Sequence, residues 1–382
     1  MIPTALGGGH AQPAGDMLTS ALERTTHPFL MWEGVASVPA TLRGTLRPER
    51  RGEVGRAAEA LDGVQAVHLV GCGTSYFSAI AATYVFPKIA GVPAVAHDAF
   101  EFAAYPPAAL DRAGLIAISH TGGTESVMAA LSTARQRGAV TIGLTDVPWS
   151  PIAEAATCTI LGEGGREPAL PKTRSYVASL LKHYLLAVEM AARRERNADA
   201  YRRALDVSPE TARQILDESA AQAQRLGAGA REWPRVFVIG AGPNLATAYE
   251  GALKLQETAH VPAHAWELEE AMHGPWVSID SGDLVILLAL QGPAYSKATG
   301  FAAALGEIGA QVWVITDAAD GLPRVAHVTR LALAVPECLT PLYAVLPLYQ
   351  FAYHAALTRG VRPDAMRLDD KRYLAARLAL PR

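Results

Sequence analysis

Cysteine is scarce. The 382 residues hold three, Cys72, Cys158 and Cys338, with no CxxC pair and no metal-ligand spacing. That excludes a disulfide scaffold and a zinc-ribbon type of site, and the thiols read as buried groups of a reducing compartment. Charge of one sign is also lacking: a net charge of -3 gives no general attraction to nucleic acid or to an acidic membrane. No long hydrophobic run is present, since the apolar stretch at 284–290 is far too short to cross a bilayer. Residues 1–16 are rich in Gly and Pro and show no basic segment leading into an apolar core, so no signal peptide is expected. A soluble, cytoplasmic protein is the expectation, with no membrane and no nucleic-acid partner.

Half of the residues are hydrophobic, enough for a chain of this length to bury the cores of two α/β domains. After a loose tail of about fifteen residues, a helical pattern runs from Met17 to about Arg51, broken at Pro28 and Pro39. An apolar strand at 67–70 then enters a Gly-rich turn and a long helix at 76–90. A second strand at 115–118 enters a polar loop and a helix at 125–137, and a third at 140–144 ends at Thr145-Asp146. The order recurs: a strand at 236–239 and a helix at about 244–259, a strand at 284–290 and a helix at about 295–308, a strand at 312–315 ending at Thr316-Asp317. Gly71 to Gly240 is a step of 169 residues and Asp146 to Asp317 one of 171. Strands alternating with helices at a near-constant step predict a duplicated α/β domain, each copy a parallel sheet with helices on both faces. The expected division is a tail and leading helix at 1–45, a first domain at 46–195, a helical connector at 196–230, a second domain at 231–365 and a C-terminal tail at 366–382.

The halves differ where ligands bind in open parallel sheets, beyond the carboxyl ends of the strands. The first half offers Thr74, Ser75, Ser119, Thr121 and Thr124 there; the second offers Gln291-Gly292-Pro293. Helix starts present free N–H groups and the positive end of the helix dipole, and hydroxyls add neutral donors, a set that suits a phosphate monoester. The same residue types also cap helices and make turns; two such loops on neighbouring strands favour a phosphate cradle. Nucleotides fit poorly. Gly71-Cys72-Gly73-Thr74-Ser75 lacks the third Gly of the dinucleotide signature, Pro243 enters the second turn early, and a Walker A lysine is absent. No metal and no organic cofactor is expected. Lys254 and Glu257 stand three apart and share a helix face, either as a surface ion pair or as a functional one. The apolar residues around them, Ala252, Leu253 and Leu255, favour a helix wedged inside the protein.

Four segments now carry a resemblance. Gly71-Cys72-Gly73-Thr74-Ser75, Ser119-His120-Thr121-Gly122-Gly123-Thr124, the run from Glu250 through Lys254 to Glu257, and His273-Gly274-Pro275 resemble, in that order, motifs of the SIS (sugar isomerase) family. The similarity is to the isomerase half of glucosamine-6-phosphate synthases, and it extends from about Pro28 to Arg377. It implies two tandem flavodoxin-like SIS domains, a homodimer with sites near the subunit interface, and a hexose or aminohexose phosphate as substrate. By position, Ser75, Ser119, Thr121 and Thr124 would bind the phosphate and His120 would add backbone contacts. Glu257 would be the base that moves a proton between C1 and C2, with Lys254 beside it. His273 would assist ring opening from the partner subunit. The chemistry agrees, because aldose–ketose interconversion needs a carboxylate beside C1 and C2 and a group that moves protons at the ring oxygen.

Some positions depart from the family pattern. No N-terminal cysteine nucleophile of a glutaminase domain is visible, so ammonia would come from a separate glutaminase subunit or from solution, or the reaction would run toward deamination or plain isomerisation. Lys172 and Thr173 lie where the family has a Ser-Thr pair that touches the substrate, and Gly123 replaces an acidic residue. Ala376 falls where the family has a tail lysine that engages the sugar carbonyl, and Arg377 stays protonated and cannot form an imine. Lys172 is then a source of positive charge. The expected function is a phosphosugar isomerase or an amino-sugar-phosphate isomerase-deaminase. A deglycase that cleaves phosphosugar–amine adducts and a non-catalytic sugar-phosphate sensor are the alternatives.

Overall fold

A computed structural model describes residues 23–380. The expected tail at 1–15, and residues 17–22 of the expected first helix, lie outside them. The leading helical segment is three helices, Leu30–Ala36, Val38–Thr45 and Pro48–Ala60. The expected break near Pro39 falls at Ser37, and Pro39 sits in the first turn of the second helix, where the missing N–H would have had no intrahelical acceptor.

Ten strands form two five-stranded parallel sheets. The first contains β1 (Ala66–Gly71), β2 (Ala94–Asp98), β3 (Ala113–Ile118), β4 (Val140–Thr145) and β5 (Cys158–Leu161). The second contains β6 (Val236–Gly240), β7 (Ala263–Glu267), β8 (Leu284–Leu288), β9 (Gln311–Thr316) and β10 (His327–Arg330). The orders, β2-β1-β3-β4-β5 and β10-β9-β8-β6-β7, are the same topology twice. In each sheet the chain reverses its direction of advance between the first and third strands. That switch point opens a crevice at the carboxyl ends of β1 and β3. The edge strands β2, β5, β7 and β10 were not legible beforehand. They are short and mix apolar with polar residues, as in Ala263-His264-Ala265-Trp266-Glu267, because one side of each has no ladder to join.

The halves repeat in detail. Gly71 and Gly240 sit where the following helix returns so closely that a Cβ would lie 2.7 Å from Ser75 C and 2.4 Å from Asn244 O. Gly73 and Gly242 both adopt positive φ, 52° and 55°, the left-handed conformation that lets each strand turn into its helix. Asp98 and Glu267 end the second strand of their halves, and each carboxylate accepts two backbone N–H bonds from the helix that follows.

One continuous core joins the sheets. The helix Arg174–Arg193 is buried along almost its whole length, and the helices Ser208–Ala228 and Leu346–Arg359 pack together beneath the second sheet. The connector read as one helical stretch is two helices, Asp199–Asp206 and Ser208–Ala228. The helix Thr74–Val85 packs against Asn244–Lys254, with Phe77 and Tyr249 stacked at 5.4 Å. The two halves' first helices thereby lie side by side in opposite directions, the start of the first beside the end of the second. No helix among the described residues is long and apolar enough to cross a membrane.

Candidate active site

The phosphate-type cradle is assembled from two loops at the switch point of the first sheet. Ser119 follows β3 and is buried; its Oγ accepts from Gly122 N at 3.0 Å and lies 2.9 Å from Thr124 Oγ1. Gly122 has φ of 69°, and a Cβ there would meet Ser150 Oγ at 2.1 Å, so the loop closes tightly only with glycine. Thr124 precedes the helix Glu125–Gln136. Among the described residues no acceptor meets the backbone N–H groups of Thr121, Gly123 and Thr124. Ser75 and Thr121 are partly buried at the same crevice, and Thr74 opens the neighbouring helix. Hydroxyl-bearing loops thus follow two neighbouring strands, β1 and β3.

His120 contributes more than backbone. Its carbonyl accepts from Asp146 N and Thr145 Oγ1, both at 3.1 Å. Its Nδ1 lies 2.7 Å from Asp146 Oδ2, and its Nε2 takes the N–H of Glu167 at 2.8 Å. A backbone N–H can only donate, so the ring proton sits on Nδ1 and goes to Asp146. Lys182 Nζ closes the network at 2.8 Å from Asp146 Oδ1. Burial works against ionisation of Asp146, but Lys182 and His120 outweigh it and hold the carboxyl well below the usual carboxylate range. Asp146 entered the sequence reading only as a landmark, and Lys182 and Glu167 not at all. Parallel pairing of β3 with β4 and the course of the helix Arg174–Arg193 bring them under the loop, and their spacing gives no signal of it.

A second cluster faces the cradle from the other half. Glu250, Lys254 and Glu257 follow one another at i, i+4 and i+7, on one helix face as it runs into the π-helical turn Leu255–Ala259. Lys254 is fully buried and touches both carboxylates, so the surface ion pair is ruled out. Its Nζ also lies 3.3 Å from Thr74 Oγ1, which in turn donates to Glu250 Oε2 at 2.9 Å. Glu250 is buried as well, and Tyr349 OH donates to it at 3.0 Å. Burial, with Glu257 adding to it, pushes the Glu250 carboxyl up to about 7 against the pull of Lys254. Burial lowers the Lys254 amine less than the two carboxylates raise it, so it stays charged. The sequence reading singled out Lys254 and Glu257 and missed Glu250, although the same helical spacing points to it. Glu257 opens onto a cavity of about 410 Å³ whose walls include His260, Met366, Arg367 and Tyr373. A larger hollow, about 690 Å³ and lined by Gln222, Arg225, Trp233 and His327, lies between the connector and the second sheet, with no comparable set of charges.

The remaining expected site residues are scattered. Thr173 is fully buried, its N–H and hydroxyl both donated to Glu167 Oε1 at 2.9 and 2.6 Å. Lys172, beside it, donates to Glu167 O and Ala169 O. His273 is exposed, with Nδ1 2.9 Å from Glu269 O. It follows the carboxyl end of β7, whereas Glu257 precedes the amino end of that strand. The five residues of β7 span roughly 17 Å. One chain does not bring His273 and Glu257 together. The tail helix Lys371–Ala379 buries no residue, and Ala376 lies on it, exposed.

The second half has the cradle's backbone without its hydroxyls. A Cβ on Gly292 would meet Glu337 Oε1 at 2.4 Å, and one on Gly242 would lie 3.9 Å from the same oxygen. The Glu337 carboxyl stands over the corresponding loops.

The family model described as SIS domain matches residues 64–189 and 231–359. A glutamine–fructose-6-phosphate aminotransferase (isomerizing) of Clostridium acetobutylicum is 28% identical over 362 residues, covering 91% of this chain and 59% of that protein. The chain therefore spans less than two thirds of the length of such relatives. Among solved structures, the C-terminal domain of glucosamine-fructose-6-phosphate aminotransferase from Francisella tularensis superposes with a TM-score of 0.79 at 20% identity, covering 88% of this chain and 96% of that one. Glucosamine-6-phosphate deaminase of Thermotoga maritima gives 0.68 at 22% identity, with the same coverages. At these identities both speak for the fold. The two matched segments coincide with the two sheets, and the chain belongs to the SIS domain family, carrying two copies of that domain.

Proposed function

We propose that this chain is a phosphosugar isomerase acting on a hexose or aminohexose 6-phosphate by proton transfer between C1 and C2, with deamination of the amino sugar as its companion reaction. The observation that carries the proposal is the Thr74 bridge. One hydroxyl at the edge of the anion cradle bonds both Glu250 and Lys254, so the phosphate-type site and the carboxylate row belong to one crevice. Ser75, Ser119, Thr121 and Thr124 hold the phosphate, with the His120–Asp146–Lys182 network fixing the loop beneath them. Glu257 is the base rather than Glu250, because its side chain is 17% exposed where that of Glu250 is closed off. A base must touch the proton it removes. Lys254, charged between the two, compensates the negative charge that grows on the sugar oxygens as the proton leaves.

Two measurements test the reading. Calorimetry against fructose 6-phosphate, glucosamine 6-phosphate and the unphosphorylated sugars is expected to show binding of phosphorylated hexoses alone. Incubation in heavy water is expected to put solvent deuterium at C1 or C2 of the recovered sugar, and Glu257→Gln to stop it. Wash-in by the Gln variant at the wild-type rate would place the base elsewhere, and equal binding of free sugars would remove the phosphate site.

A further inference from the structure

Three hollows meet at His260. One is the cavity of about 410 Å³ onto which Glu257 opens. The second, about 290 Å³, is lined by Arg231, His260, Arg359, Val361 and Arg367, with no carboxylate among them. The third adjoins it and does hold acids, Asp369 and Asp370. Both face arginines of their own, Asp370 on Arg372 at 2.6 Å and Asp369 on Arg362 at 3.9 Å.

The walls of the arginine hollow come from separate places in the chain. Arg231 precedes β6, His260 precedes β7, and Arg359 ends the helix Leu346–Arg359, so the hollow lies toward the amino ends of the second sheet. Arg231 Nε donates to Thr358 O at 2.7 Å and Arg359 Nη1 to Ala230 O at 3.3 Å, and the two segments thereby clamp each other. Arg367 lies over the Tyr373 ring at 4.9 Å, with Nη1 on the phenol oxygen. Each guanidinium uses one nitrogen in this way, and among the described residues the other two of each meet no acceptor. The buried Nε2 of His260 has no partner there either. His260, Met366 and Arg367 hold positive φ of 54°, 46° and 60°, a conformation uncommon for such side chains and concentrated at ligand sites.

Cations gathered without a counter-charge make a positive field, and a concave wall focuses it. His260 registers that field. Burial, with Arg367 and Arg359 adding to it against the pull of Asp369, pushes its ring down to about 4. The remaining guanidinium N–H groups are planar forks that match the oxygens of a carboxylate or phosphate. The hollow also adjoins the reacting site, because His260 and Arg367 line the Glu257 cavity as well. Contacts run from Thr74 to Lys254 to Glu257, and His260 follows three residues later. Glu257 thus stands between the cradle and the arginines.

We propose that the arginine hollow is a second anion subsite, holding an acidic group that the substrate carries beyond its reacting carbons. The proposal rests on the phosphosugar reading above and narrows the substrate to a sugar phosphate with an acid at each end. The 6-phosphate takes the cradle. Past C1 comes either a second phosphate or the carboxylate of an amine-linked substituent. A plain hexose 6-phosphate leaves the guanidinium forks of Arg231, Arg359 and Arg367 without an anion.

The test is calorimetry on the full chain with three probes: fructose 6-phosphate, fructose 1,6-bisphosphate, and 6-phosphofructose joined through C1 to the nitrogen of glycine. At least one two-headed probe is expected to bind roughly a hundredfold tighter than fructose 6-phosphate, as two charge-assisted bonds would give. Which probe gains identifies the second acid. Replacing Arg231 and Arg359 together by Gln should bring that ratio down to about one. A crystal structure of the tighter wild-type complex, which needs no variant, should place the second acid within hydrogen-bond distance of Arg359 and Arg367. Equal affinity for all three probes, a ratio that survives in the Gln variant, or an acid bound elsewhere would overturn the proposal. Failure of every phosphosugar to bind would instead sink the parent reading, and this one with it.

Discussion

Glu257 and Glu250 differ in reach, and Gln substitution should separate them. Glu257→Gln keeps the shape and removes the basic carboxylate, so kcat is expected to fall about 10²–10⁴-fold with phosphate affinity little changed. Parallel losses of affinity and rate in a kinetic and calorimetric comparison would speak against a base. A different residue sets acid sensitivity. His183 is fully buried, both ring nitrogens lack a partner among the described residues, and burial, aided by Lys182, pushes it down to about 3. The unfolded chain takes up this proton first, near the ordinary histidine value of about 6.5. The contribution is therefore complete above that value and is lost as pH falls toward 3, at up to about 1.4 kcal/mol per pH unit. Thermal melts between pH 7 and 5 should show Tm falling with pH, and His183→Phe should flatten the slope. An unchanged slope in the variant would move the effect to other groups.

Among the elements, the 119–124 loop carries the most specific expectation. Replacing Ser119 and Thr121 together by Ala removes two hydroxyls from the proposed phosphate site. At about 1.5–3 kcal/mol for each bond to a charged group, sugar-phosphate affinity should fall roughly a hundredfold or more. Calorimetry that found it unchanged would move the cradle elsewhere. The loop also shows what the sequence could disclose. Central strands are apolar runs ending in glycine and hydroxyl residues, so β1, β3, β4, β6, β8 and β9 and the helices behind them were legible, as were Ser119 and Thr124. The edge strands carry no such pattern, because burial is one-sided there. Asp146, Lys182 and Glu167 become a unit only when the sheet closes, and Glu337 reaches the second cradle from nearly a hundred residues away. Such partners are chosen by topology, which no local spacing records.

For the whole molecule, the separation of His273 from Glu257 along β7 is what a shared site between two subunits would resolve. A homodimer in which His273 serves the partner's site would use both residues, and the exposed Trp276 and Val277 beside His273 fit a surface that meets another subunit. Mixing Glu257→Gln and His273→Ala subunits, each inactive alone, should restore activity in the heterodimers that carry one intact site. Subunit exchange shown by mass, without recovery of activity, would refute a shared site.

Binding stoichiometry follows from Glu337. A carboxylate tethered over the second cradle acts there at an effective concentration on the order of millimolar and repels a second anion. With that carboxylate standing over the second cradle, each chain should titrate with one equivalent of ligand despite having two copies of the fold.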